Sequence, residues 1–117
     1  MVVKMIEQNS VEFFNNRLTY NFNDLKSLTP SQKDQVRHYG SQAENLLKNR
    51  DLAMFIHHYK FQLADELIEI SGYTNENNNE KIAIANELKS IDKFINSLKR
   101  AVVLKNRVGN AEIAPEQ

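Results

Sequence analysis

Apolar residues recur three and four apart over two long stretches of the chain, 52–70 and 84–102, and a wholly polar run, 74–79, lies between them. That spacing is the period of an α-helix. It predicts an antiparallel helical hairpin with arms at about 51–71 and 79–107. Gly72 supplies the left-handed residue that closes the first arm, with Tyr73 expected to fold back onto Ile68. Asn77, with Glu80 three residues on, resembles a capping box that starts the second.

The two arms differ in how they distribute apolar side chains. At about 100° per residue, Leu52, Ile56, Tyr59, Leu63, Leu67 and Ile70 form one stripe of the first arm. Met54, Phe61, Ala64 and Ile68 form a second stripe beside it. An apolar arc wider than one seam implies contacts on two sides, so this arm is expected to be the buried centre of at least three helices. The second arm carries Ile84, Leu88, Ile91, Ile95, Leu98 and Val102, a coiled-coil seam with alternating steps of four and three. Phe94 and Ala101 widen one edge of that seam, and Gly109-Asn110 is expected to stop the helix.

Upstream, Thr29-Pro30-Ser31-Gln32 is a strong start signal. A capping Thr, Pro at the first helical position and Gln at the third complete a capping box. The helix predicted from it covers about 30–49, with Val36, Tyr39, Ala43, Leu46 and Leu47 on its apolar face. Gly40 within it either costs about 1 kcal/mol against Ala or lets a neighbour approach closely. The apolar face changes near Asn49-Arg50-Asp51, which predicts a break with Asp51 as the next cap. Residues 1–29 read as an arm in which Ser10 caps a short helix through Val11-Glu12-Phe13-Phe14. Leu18, Tyr20 and Phe22 then alternate with polar residues, and with no second strand to pair with they predict an extended segment docking its aromatics. The expectation is an all-α fold: a small helical bundle at 30–108 built on the hairpin, with an N-terminal arm at 1–29 and a C-terminal tail at 109–117.

Composition changes this picture mainly by exclusion. The 117 residues contain 15 Lys plus Arg and 15 Asp plus Glu, so no net field draws the molecule to nucleic acid or anionic lipid. With no Cys, disulfides, thiolate catalysis and thiolate metal sites are excluded. The apolar start of the chain is cut short by Glu7-Gln8-Asn9, and no run approaches the ~20 residues of a membrane span. A cytoplasmic protein with no membrane partner is expected, or one of the host cytoplasm or virion if the source is viral.

Charge is nevertheless segregated. In the first arm Asp51, Asp65, Glu66 and Glu69 stand against Lys60 alone. From Lys81 to Arg107, seven Lys and Arg stand against Glu87 and Asp92. This favours pairing of the arms, or head-to-tail contact between copies. Lys89, Lys93, Asn96, Arg100 and Arg107 fall within an arc of about 60° opposite the seam, with no acid among them. On one reading this ridge contacts phosphates; on the other it is a solvated face whose last residues complement the helix dipole.

Candidate chemistry is sparse. His57 and His58 point about 100° apart on a helix and cannot share one metal; His57 and Lys60 suit the rim of the apolar arc. Asp65, Glu66 and Glu69 make a soluble helix face, without the Gly-rich loop, nucleophile elbow or zinc motif of an enzyme. No cofactor, metal or catalytic residue is expected. Phe13, Phe14, Tyr20 and Phe22 either cap the end of the bundle or form a patch that grips a neighbour. The expectation is a non-enzymatic interaction or assembly component, a homo-oligomer or a subunit docked on a protein partner. Its size and Asn-rich composition suit a small structural or accessory protein of a virus or mobile element. The alternative is a nucleic-acid-associated factor, such as an oligomeric DNA-packaging ring, that uses the basic ridge.

Overall fold

In a computed structural model of the protein, the described residues are Ile6, 10–19 and 23–113, the last three by backbone alone. They form four α-helices and no strand: α1 (Ser10–Asn15), α2 (Pro30–Lys48), α3 (Arg50–Glu69) and α4 (Asn75–Ile113), with a 3-10 turn at Leu25–Ser27. The all-α hairpin architecture is as the periodicity predicts. The arrangement within it is not the one expected. α4, not α3, is the shared helix: α2 packs along its C-terminal half and α3 along its N-terminal half. At ~1.5 Å per residue α4 is about 58 Å long, nearly the 63 Å of the molecule's longest axis.

The result is a broken helix lying antiparallel to an unbroken one. The radius of gyration, 19.3 Å, exceeds the roughly 13 Å of a compact chain this size, and much of each helix faces solvent. α3 has a single fully buried side chain, Leu63. It occupies an edge because, among the described residues, no third helix covers its other side.

Local signals explain the breaks. Thr29 Oγ1 accepts from Gln32 N at 3.2 Å, and Thr29 N donates to Gln32 Oε1 at 2.9 Å, completing the capping box. Asn49, not Asp51, separates α2 from α3. Its N–H closes onto Leu46 O, and its Oδ1 accepts from Leu52 N at 2.9 Å, so one residue ends one helix and caps the next. Similarly, Thr74 and not Asn77 caps α4, its Oγ1 accepting from Asn77 N at 3.1 Å. The asparagines of the loop tie down the turn instead: Asn77 Nδ2 donates to Ser71 O at 2.7 Å, joined by Lys81 Nζ on Gly72 O. Gly72 has φ +88°, yet α3 ends earlier, at an extended Ile70. Tyr73 and Ile68 both stand in solvent, 88% and 80% exposed, so they form no cap contact. At the other end Gly109-Asn110 does not stop α4, which continues to Ile113; an isolated Gly costs a helix little enough to be carried through.

The core has two parts. Leu63, Ile84 and Ile91 are buried with Ile56, Leu67, Ile70, Leu88 and Ile95 around them, joining α3 to α4. Val36, Val108 and Leu28 form the other, flanked by Leu25 and Leu104. The last stretch expected as arm, around Leu25 and Leu28, is thus packed against the end of α2 and α4.

Candidate functional site

The expected seam serves α4 only in part. Ile84 and Ile91 are buried and Leu88, Ile95, Leu98 and Val102 half-buried. From Ala101 onward the buried positions move to Ala101 and Val108, with Leu104 and Lys105 half-buried. On a wheel this face is turned about 100° from the first. α4 therefore presents one face to α3 and another to α2. At the second, Gly40 allows close approach: a Cβ there would lie 2.8 Å from Ala101 O and collide with Lys105 Cβ.

Cross-helix polar contacts frame these faces. Lys105 Nζ reaches Glu44 Oε2 at 2.9 Å, and Lys48 Nζ takes Glu44 Oε1 at 2.9 Å. Hydrogen bonds from the two lysines, Lys105 first, hold the Glu44 carboxyl down at about 2. Between α3 and α4, Tyr59 donates to Glu87 at 2.8 Å, a bond that raises the phenol above its usual 10. Lys60 pairs with Asp92 at 3.0 Å. So the pairing is made by the minority charges of each arm. Among the described residues no ion pair joins Asp51, Asp65, Glu66 or Glu69 to α4.

The basic ridge stays together. Lys89, Lys93, Asn96, Arg100 and Arg107 are all exposed, on the side of α4 that neither α2 nor α3 covers. None of its four cations makes an ion pair among the described residues. The aromatic patch is divided. Phe13 and Phe14 are 61% and 60% exposed, with the Arg17 guanidinium 3.6 Å over the Phe14 ring, a cation–π contact. Tyr20 and Phe22 lie outside the described residues. Phe13 and Arg17 overhang a cleft of about 950 Å³ whose floor includes Val36, Ala101 and Leu104 and whose rim includes Tyr39 and Arg100.

One exposed apolar row lies on a face that the wheel assigns to the interior. Met54 is 58%, Phe61 66% and Ile68 80% exposed. With the exposed His57 and the half-buried Ala64 they form a row along the outer side of α3. Phe55, 69% exposed, stands apart from that row and was not singled out by periodicity. His57 stacks on Phe61, ring centroids 6.5 Å apart. Among the described residues no three His, Asp or Glu gather as metal ligands, and no helix is long and apolar enough to cross a membrane. Comparison with family models, curated proteins and solved structures finds no match.

Proposed function

We propose that the protein is a non-enzymatic interaction or assembly component that uses the outer face of α3 as its contact surface. The observation that carries this reading is the row Met54, Phe61 and Ile68, each more than half exposed on a helix whose opposite face is already committed to α4. Scattered apolar residues on a surface are ordinary, but a contiguous row of large ones marks an interaction site. A small structural or accessory role in a virus or mobile element suits the same size and composition. The test compares wild type with a Phe61→Ser/Ile68→Ser chain as bait in the source cell. A partner retained by the first and lost by the second supports the reading. Identical partners, or none, contradict it.

A second reading, a nucleic-acid-associated factor, draws on the ridge. Its support is that Lys89, Lys93, Arg100 and Arg107 share one face without an acidic partner in ion-pair range among the described residues. On this reading Lys93→Glu with Arg100→Glu abolishes duplex binding, and wild-type binding weakens steeply as salt rises. Unaltered binding by the variant, or none by wild type at low salt, removes it.

A further inference from the structure

We infer that the outer face of α3 is a self-complementary seam that pairs with the same face of a second copy, the two helices running antiparallel about Phe61. The inference rests on the interaction reading above and adds a second copy of the chain as an occupant of the same face.

The spacing carries the first part. Met54, His57, Phe61, Ala64 and Ile68 are separated by three, four, three and four residues, the alternation of coiled-coil core positions. α3 therefore has two seams: Leu63 and its neighbours turned to α4, and this row turned to solvent. A seam this short would not hold free peptides together, because each would first have to form its helix. Here the helix is already folded against α4, so that cost falls away on association.

Complementarity selects the occupant. About a dyad at Phe61, antiparallel pairing sets Met54 opposite Ile68 of the second copy and the bulky His57 beside the small Ala64. Phe61 meets its own equivalent. On the flank, the His58 imidazole comes opposite the Asp65 carboxylate, twice by symmetry. The other flank holds Lys60, already paired with Asp92 at 3.0 Å. A parallel pair would instead stack Ala64 on Ala64, leaving a void, and His57 on His57. The α4 helices lie on the far side of each α3 and do not obstruct the contact. The area is small, under roughly 1,200 Å² in total, which belongs with weak and transient interfaces.

The chain has no Cys, so a thiol introduced at one position reports that position alone. Light scattering on wild type is expected to show mass rising from one chain toward two as concentration passes through the order of 10–100 µM. Phe61→Glu, with helicity unchanged, stays at one. Under mild oxidation Phe61→Cys cross-links to itself. Met54→Cys and Ile68→Cys do not when alone, but do when mixed. Wild type at one chain mass up to about 1 mM overturns the dimer, as does self-cross-linking of all three single variants alike, the mark of a parallel pair. The bait comparison reads binding of a different protein, so its failure is separable from failure here.

Discussion

The two halves of α4 use opposite means to hold a neighbour. Toward its C-terminus, α2 approaches through the small residue Gly40, set against the Ala101 carbonyl and Lys105, and the backbones come close. Toward its N-terminus, α3 meets it through Leu63 against Ile84 and Ile91, where branched side chains keep the axes apart. The first junction is unforgiving of added volume and the second of lost volume. They differ outwardly as well. α2 leaves Tyr39 and Leu46 partly exposed, 52% and 43%, whereas α3 leaves a full row of larger exposure. An elongated two-helix molecule has the means to fold and still retain a second apolar face for another purpose.

The largest effect is expected at the bulky junction. Leu63→Ala should destabilise by about 2–4 kcal/mol in urea unfolding, the loss of a buried side chain plus its cavity. At the close junction, Gly40→Ala should cost about 1–2 kcal/mol, since the strain of overpacking outweighs the gain in helix propensity. Gly109 supplies the control. A Cβ there meets nothing within 4 Å, so Gly109→Ala should stabilise by about 0.5–1 kcal/mol. Two identical substitutions in α-helices then have opposite signs.

Titration sharpens the same contrast. The Glu44 carboxyl sits at about 2 against its ordinary 4.5. Its contribution to stability is fully present above 4.5 and is lost as pH falls toward 2. Tyr59 is shifted the other way, upward, by Glu87, so its contribution holds below 10 and disappears as pH rises through its folded value. Unfolding across pH should show that Glu44→Gln flattens the acid limb at the α2 junction, and Tyr59→Phe the alkaline limb at the α3 junction.

Signals confined to a few neighbouring residues were legible from sequence. The Thr29 box needs only residues 29–32, and the hairpin needs only its period. What a wheel cannot show is which neighbour covers a face. The double stripe of α3 correctly marked two apolar surfaces, but it could not tell a helix buried on both sides from one half-covered at an edge. The rotation of the α4 face past Leu98 was hidden for a related reason. A straight helix drifts about 20° per heptad against a strict seam, which is less than the observed turn, and the rest is set by where α2 lies. Sequence favours Asp51 and Asn77 as caps where the structure uses Asn49 and Thr74, because capping residues crowd both loops and only backbone geometry chooses among them. The ridge survived as a unit because five exposed residues on one unbroken helix need no tertiary information.

On the proposed reading the outer face of α3 contributes nothing to holding a single chain together. The most direct test is urea unfolding of Phe61→Ser/Ile68→Ser at a concentration where the chain is monomeric. Stability within about 0.5 kcal/mol of wild type is the predicted result, as for substitutions on an uncovered surface. A loss approaching that of Leu63→Ala would show that this face is buried within the monomer and is not free to bind a partner.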